Sequence, residues 1–259
     1  MAEVGDLDGV RVERDGALLR VTLTNPTARN AQTPATWRRL ASIPDLLDES
    51  VRAVILAAEG PSFSAGLDRR MMTAEGIPGE ESLLSLAGYS PDRVEDFIRQ
   101  AQAAFIWWRT VPQVTVALVQ GHAIGAGFQL ALACDVMIVG DDAQLAMRET
   151  SLGLVPDLGG SQPLADRVGY SRAFEICARG RFVGAEEAVR LGIAIDRVPS
   201  EQWDAYLSEF LAPIVAALPG AVSALKALLN GAASDSDQAG RERRAQAARL
   251  IELRTLLGG

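Results

Sequence analysis

The stretch Gly121–Asp135, GHAIGAGFQLALACD, joins two apolar runs through three glycines in seven residues. The preceding TVALVQ is typical of a buried strand, and FQLALA favours a buried helix. A glycine-rich strand-to-helix junction presents main-chain N–H groups at a helix N-terminus, where anions and polarised oxygens are stabilised. Tight packing of the helix against the strand would also require small residues. The junction alone therefore leaves both interpretations open.

The known phosphate and nucleophile motifs do not match this junction. The spacing of Gly121, Gly125 and Gly127 differs from the dinucleotide pattern GxGxxG, and no Lys-Ser or Lys-Thr pair follows as in a P-loop. The GxSxG pattern of a nucleophilic serine is also missing from the sequence.

Composition narrows the class of protein. Of the 259 residues, 48% are hydrophobic and 22% are charged, as in one large globular domain. The net charge of −8 disfavours nucleic acid, which is bound through clustered lysine and arginine. No apolar run reaches the ~18 residues of a membrane span, and the acidic N-terminus does not resemble a signal peptide. We expect a cytoplasmic protein without nucleic-acid or membrane partners.

Isolated polar residues give few candidate sites. Cys134 and Cys177 lie in apolar surroundings and are expected to be free thiols. His122 is the only histidine, so it is expected to pack beside the turn rather than to bind a metal or belong to a catalytic triad.

The order of local patterns predicts an α/β domain. Two strands flank an Asp15-Gly16 turn, and a helix follows Thr33 as N-cap with Pro34 in its first position. A long helix is predicted from Val94, whereas residues 73–92 have no period and are expected to be mobile. Helical runs dominate the C-terminal part, with a helical segment from about residue 200.

A second junction strengthens the functional interpretation. FSAGLD, residues 63–68, also follows an apolar strand and brings small residues before Asp68, an expected helix N-cap. N–H donors from two junctions can converge on one oxygen and form an oxyanion hole, in which the loss of one donor costs ~10²–10³ in rate. The chemistry indicated is the stabilisation of an enolate or a tetrahedral anion.

Five segments in order now carry a family resemblance. They are NPTARNAQ, FSAGLD, GHAIGAGFQLALACD, RETSLGLVPDLGGSQPLADRVG and GAEEAVRLGIAIDRV. Together they resemble the signature segments of the crotonase superfamily, the enoyl-CoA hydratase/isomerase family.

The resemblance implies an α/β fold, a crotonase-like spiral of ββα units with a C-terminal helical trimerisation region. We expect residues 1–200 to form the core with a CoA-thioester site and residues 201–259 to form the oligomerisation region. The implied assembly is a homotrimer or a dimer of trimers. The implied substrate is an acyl-CoA, with no cofactor, since coenzyme A is part of the substrate.

The same resemblance implies the site residues. The thioester oxygen would be held by the N–H groups of Leu67 and Ala126. The family usually has glycine at the position of Ala126. Alanine keeps the donor if its backbone torsion φ is compatible. The implied CoA-binding positions are Ala28, Arg29, Ser64, Ala65, Gly66 and Asp68.

Three further positions concern proton transfer. Hydratases of the family use two glutamates, of which the second matches Glu149 and the first matches Gln129. An amide cannot act as an acid or base at neutral pH. Asp157 lies where many hydratases have glycine and where some isomerases and dehalogenases have a functional aspartate. Glu149 and Asp157 are therefore the candidate acid–base groups, with Gln129 as a neutral neighbour. The open alternatives are a turn residue before Gly159-Gly160 for Asp157 and a helix-capping residue for Gln129.

Three functions follow from these residues. The first is acyl-CoA double-bond isomerisation by Glu149 and Asp157, which requires an enolate hole and no water. The second is enoyl-CoA hydration by Glu149, with Gln129 replacing the second glutamate. The third is acyl-CoA binding without catalysis, which is suggested by Gln129 and by the lack of a match to the family's final helix.

The remaining aspartates, aromatic residues and methionines are interpreted as structural. Asp135 is expected in a turn or at a strand start. Core or acyl-pocket positions, with the core favoured, are predicted for Trp107, Trp108, Met71 and Met72.

Overall fold

The computed structural model describes residues 2–218, 220–231 and 237–256, and ten strands and ten helices lie within them. The strands are β1 (Ala2–Leu7), β2 (Val10–Asp15), β3 (Leu18–Leu23), β4 (Ala53–Ala58), β5 (Val114–Val119), β6 (His122–Ile124), β7 (Val136–Val139), β8 (Gln144–Ala146), β9 (Val183–Gly184) and β10 (Asp196–Arg197). The helices are α1 (Pro34–Ala41), α2 (Leu83–Leu86), α3 (Pro91–Thr110), α4 (Ala126–Ala133), α5 (Ser161–Val168), α6 (Tyr170–Arg179), α7 (Ala185–Arg190), α8 (Trp203–Ala216), α9 (Ala221–Gly231) and α10 (Gln238–Leu256).

A mixed seven-stranded sheet forms the centre of the fold, in the order β1-β2-β3-β4-β5-β7-β10. Its first three strands are antiparallel neighbours, and the hairpin predicted at Asp15-Gly16 joins β2 to β3. From β3 onward the neighbouring strands are parallel, so helical connections cover the sheet.

Both faces of this sheet are buried, which explains the continuous apolar runs in its central strands. In β4, Val54 and Leu56 join the core under α1, α3 and α4, whereas Ile55 joins a second core on the other face. The second core is completed by α8 through Trp203, Leu207 and Leu211. The first helix of the predicted oligomerisation region thus packs on the same sheet, and the division at residue 200 stays a prediction.

A second sheet of three short strands, in the order β6-β8-β9, lies beside the first. Its strands have two or three residues each, too few to show a period in the sequence. Strand β6 joins the two sheets in the chain, because it follows β5 after Gln120 and Gly121 and leads directly to α4.

Local capping explains where the N-terminal helices begin. The Thr33 hydroxyl accepts from the Thr36 N–H, and Pro34 is the first residue of α1, as predicted. Helix α3 begins at Pro91 rather than at Val94, because Ser90 caps it. The segment 73–92, predicted without regular structure, contains the single turn of α2; its predicted mobility stays a prediction.

Helix α4, the one that opens after the glycine junction, is buried on all sides. All eight of its residues are buried, and Gln129 is the only one with a polar side chain. A helix without a polar face belongs in the interior, so a buried amide in it must be hydrogen-bonded within the protein.

The C-terminal helices are joined to the core by polar contacts as well as by packing. Asp135, expected at a turn, accepts from the N–H and hydroxyl of Thr115 before β7 begins. Lys226 of α9 reaches the same carboxylate. Within the described residues no single helix is long and apolar enough to span a membrane. Two helical segments with a bend between them, Ser200–Ala216 and Ala221–Asn230, are long and apolar enough only when they are taken together.

Candidate active site

The two glycine-containing junctions contact each other. Ser64 pairs with Ala123 in a parallel bridge, and the Ile124 N–H donates to the Ser64 carbonyl at 3.0 Å. At Gly66, with φ +87°, an added Cβ would lie 2.4 Å from the Ile124 carbonyl oxygen and 3.5 Å from the Ala126 nitrogen. No side chain fits this gap, so Gly66 allows the two main chains to meet.

The N–H groups of Leu67 and Ala126 remain available beside this contact. The Gln32 N–H donates to the Gly66 carbonyl and the Asp68 N–H donates to the Gln32 carbonyl, which leaves the N–H of Leu67 unused by this pairing. Ala126 is the first residue of α4, where N–H groups have no intrahelical acceptor. Within the described residues neither N–H donates to an oxygen of the chain. Their convergence on one thioester oxygen stays a prediction.

Two buried amides, which the sequence analysis did not select, hold the loop that faces these junctions. Asn30, at φ +51°, donates to the carbonyls of Glu59 and Ser62. Gln32 is fully buried; it donates to the Ser64 hydroxyl and accepts from the Trp37 indole. An Asn in the loop NPTARNAQ was the available signal, since Asn is enriched at positive φ.

The predicted CoA-binding positions lie on two adjoining segments. Ala28 ends a turn of 3-10 helix, and the Ala65 N–H donates to the Arg29 carbonyl at 2.8 Å. The Ser64 side chain is fully buried and donates to the Asn30 carbonyl. Its N–H donates to the His122 carbonyl and its carbonyl accepts from the Ile124 N–H, so the polar groups of Ser64 are engaged within the chain.

Asp68 is the N-cap predicted for it, although the helix that it caps is a short 3-10 turn over Arg69–Met72. Its carboxylate accepts from the N–H and guanidinium of Arg70. These hydrogen bonds hold the pKa of Asp68 below its usual range. The Asp68 carboxylate is thus engaged within the chain.

Glu149 lies against the glycine turn that leads into α4. It begins a 3-10 turn over Glu149–Leu152, and a Cβ added to Gly125 would lie 3.3 Å from its Oε1. The side chain is half-buried, and its Oε2 is a buried atom without a hydrogen-bond donor among the described residues. Burial raises the pKa of Glu149, and the charge of Asp157 adds to the rise. Hydrogen bonds from its own main-chain N–H, from Gln129 and from the Arg148 N–H oppose it.

Gln129 connects Glu149 to the loop that carries Asp157. Its Nε2 donates to Glu149 Oε1 at 2.7 Å, and its Oε1 accepts from the N–H groups of Leu158 at 2.9 Å and Gly160 at 3.2 Å. A Cβ on Gly160 would lie 2.6 Å from the Gln129 Cγ, so this loop can pack on the amide only with glycine there. The predicted pocket position of Gln129 is a buried bridge, with 1% of the residue exposed.

Asp157 is half-buried, and its main-chain carbonyl accepts from a side chain of α3. Gln102 of α3 donates from Nε2 to the Asp157 carbonyl at 2.6 Å, a contact that no sequence pattern indicated. Burial raises the pKa of Asp157. The structure therefore brings together three predicted residues, Glu149, Asp157 and Gln129, beside the turn that carries Ala126.

The other candidate residues have structural surroundings. The exposed His122 ring meets Phe182 edge-on at 6.0 Å, and both cysteines are free. Trp107, Trp108 and Met71 are buried, as expected for the core. No group of His, Cys, Asp or Glu within the described residues is arranged to hold a metal ion.

Comparison with known proteins shows which family this chain resembles in sequence and fold. The model of the enoyl-CoA hydratase/isomerase family matches residues 13–251. A protein of Thermobifida fusca, solved in complex with acetoacetyl-CoA, is 42% identical with a TM-score of 0.89, over 95% of this chain and 96% of its own. A protein of Bacillus subtilis named as a probable enoyl-CoA hydratase is 31% identical over 72% of this chain and 68% of its own. The 2,3-dehydroadipyl-CoA hydratase of Escherichia coli is 29% identical over 88% and 84%.

The class defined by the fold is thus that of the crotonase-like enzymes. The chain belongs to the enoyl-CoA hydratase/isomerase family of the crotonase superfamily.

Proposed function

We propose that this enzyme binds an acyl-CoA thioester and isomerises its carbon–carbon double bond by proton transfer through an enolate. The observation that carries the proposal is the pairing of Glu149 with an amide, Gln129, while the second carboxylate near it is Asp157. In hydratases of the family two glutamates activate and hold the water, whereas isomerisation needs a base, an acid and a stabilised enolate. Coenzyme A belongs to the substrate, and no other cofactor is required.

The proposed reaction starts from a 3-enoyl thioester. Its carbonyl oxygen accepts hydrogen bonds from the N–H groups of Leu67 and Ala126, which stabilise the charge of the enolate. Glu149 removes a proton from the alpha carbon, and the electron pair of the broken C–H bond delocalises into a dienolate. A proton from Glu149 or Asp157 is then added at the gamma carbon, which gives the 2-enoyl thioester. Each acid–base group of this kind contributes about 10²–10⁴ to the rate.

The decisive experiment is incubation of 2-enoyl, 3-enoyl and dienoyl thioesters with the enzyme in D₂O, followed by mass spectrometry. Deuterium at the alpha or gamma carbon without added water supports isomerisation. A product heavier by one water supports hydration instead. Binding without exchange or addition on all three classes would contradict both reactions.

A second candidate is hydration, because two relatives carry hydratase names. In this reaction Glu149 would activate water while Gln129 only holds it. The substitution Gln129→Glu supplies the second carboxylate, and we expect it to increase hydration of a 2-enoyl thioester if that group is the only one lacking. If the wild-type enzyme already hydrates as fast as the variant, the amide is no obstacle and hydration replaces isomerisation as the proposed function.

We also propose that the chain assembles as a homotrimer or a dimer of trimers. Helix α9 exposes Leu225 and Leu229, which are 54% and 65% exposed. Exposed apolar side chains on one helix favour burial in an interface. Light scattering at micromolar concentration tests this, and a monomer mass would contradict it.

A further inference from the structure

We infer that Gln129 is a positioning residue that holds the Glu149 carboxylate through Oε1 and keeps Glu149 a single base. The inference rests on the proposed function, in which Glu149 is the base. It goes further by giving the amide at position 129 a role that a carboxylate could not fill.

The orientation of the Gln129 amide is fixed by its partners. Two main-chain N–H groups, from Leu158 and Gly160, point at its Oε1, and a carboxylate oxygen of Glu149 lies 2.7 Å from its Nε2. A flipped amide would set NH₂ against two donors and its carbonyl against the carboxylate, so all three hydrogen bonds would be lost. The donor therefore faces Glu149.

The two oxygens of Glu149 are consequently unequal. Oε1 accepts the Gln129 hydrogen bond, whereas Oε2 is buried without a donor among the described residues. A buried carboxylate oxygen without a donor is costly in free energy, and an arriving proton would relieve that cost. Among the described side chains, Gln129 alone donates to this carboxylate, so its hydrogen bond fixes how the carboxylate is oriented.

An amide and a carboxylate at position 129 would give different titrations. Two carboxylates with oxygens 2.7 Å apart cannot both stay ionised, so they would share a proton and titrate as a coupled pair. The amide keeps the same geometry without a charge. Glu149 then remains a single base whose pKa the Gln129 hydrogen bond lowers against the effect of burial.

Other charged or titratable groups near Glu149 are few within the described residues. Asp157 faces it from the loop after Pro156 and raises its pKa. Cys177 of α6 is close enough for Glu149 to raise the pKa of the thiol. The guanidinium of the neighbouring Arg148 lies over the Phe182 ring, 5.8 Å from its centre.

Two substitutions separate positioning of Glu149 from support of the loop. Gln129→Met has nearly the same length but removes all three hydrogen bonds. Gln129→Glu keeps an acceptor for Leu158 and Gly160 and replaces the amide donor by a carboxyl group that shares a proton with Glu149. Gln162→Met makes the same chemical change on the exposed face of α5 and serves as the matched control.

The first measurement is the pH dependence of deuterium exchange into a 3-enoyl thioester. We expect Gln129→Met to lose about 10²-fold in kcat, as misplaced reacting groups do, with KM nearly unchanged. Its acidic inflection should move to higher pH, because a hydrogen bond that favours the charged carboxylate is gone. Gln129→Glu should replace one acidic inflection by two. A wild-type rate and profile in Gln129→Met would overturn the inference.

The second measurement needs no turnover. Difference infrared spectroscopy follows the carboxyl stretch of Glu149, identified as the band lost in Glu149→Gln, as pH is varied. We expect its midpoint to rise in Gln129→Met and to stay unchanged in Gln162→Met. An unchanged midpoint in Gln129→Met contradicts the positioning role even if the enzyme is inactive. A shifted midpoint together with no exchange by the wild-type enzyme rejects the proposed function and leaves only the positioning of Glu149.

Discussion

The ammonium group of Lys226 lies 2.7 Å from Oδ2 of Asp135, and it also donates to the carbonyls of Trp108 and Gln113. Lys226 is the only lysine in the sequence, and its side chain is 9% exposed. Asp135 has two further donors, both from Thr115. The ion pair therefore joins α9 to the start of β7 with its charges and donors satisfied.

Removal of this ammonium should destabilise the protein. We expect Lys226→Met to lower the free energy of unfolding by about 3–5 kcal/mol, because it leaves the buried Asp135 charge unpaired. Urea denaturation at one fixed protomer concentration measures the effect. A double-mutant cycle with Asp135→Asn isolates the pair, and a loss below about 1 kcal/mol, the value of an exposed pair, would contradict it.

The substitution Glu149→Gln should change stability and reaction rate in opposite directions at neutral pH. Because burial raises the pKa of Glu149, the native state holds this proton more tightly than the unfolded chain does. The resulting stabilisation is complete below the ordinary carboxyl pKa and is lost as pH rises through the native pKa. The change in the free energy of unfolding caused by Glu149→Gln should therefore be more favourable at pH 7 than at about pH 4, which is close to the ordinary pKa of a glutamate.

Glu149→Gln should also lose at least about 10²-fold in deuterium exchange. Unfolding curves at both pH values and exchange rates test the two effects together. Equal stability differences at the two pH values would show that the pKa of Glu149 is not raised, and wild-type exchange would show that it is not the base.

Asp157 should act on the rate and on the pH profile. Its negative charge raises the pKa of Glu149, so Asp157→Asn should move the acidic limb of kcat/KM to lower pH. Loss of a group proposed to take part in proton transfer should also reduce isomerisation by about 10²-fold. If turnover falls and the acidic limb stays where it is, Asp157 does not affect Glu149 through its charge.

The junction contact predicts an effect at Gly66. Gly66→Ala would force apart two main chains, because its Cβ would lie 2.4 Å from the Ile124 carbonyl oxygen. We expect a loss of about 10²–10³ in exchange, as when an oxyanion donor is removed. Gly79→Ala is the control, since Gly79 has nearly the same φ, +83°, with no heavy atom within 4 Å. Similar exchange rates in the two variants would show that only backbone strain matters.

Local determinants explain which features the sequence predicted. The Asp15-Gly16 turn and the Thr33 cap depend on neighbours within a few residues, and both were confirmed. The strands β6, β8 and β9 were missed because two or three residues carry no period.

The site shows the same limit. Glu149, Asp157 and Gln129 were identified from motifs, whereas the hydrogen bond between Gln129 and Glu149 spans 20 residues and depends on how the loop at Leu158 packs on α4. Gln102, 55 residues before Asp157, has no local signal at all. Side-chain partners across such separations are set by tertiary packing.

The candidate oxyanion donors and the acid–base groups belong to different parts of the polypeptide. The donors at Leu67 and Ala126 are main-chain N–H groups, which every residue except proline provides. The groups at positions 129, 149 and 157 are side chains, and a single-base change in its codon turns Gln129 into a glutamate. Under the proposed function, mutation can therefore redirect the chemistry one side chain at a time while the main-chain donors for the thioester oxygen are retained.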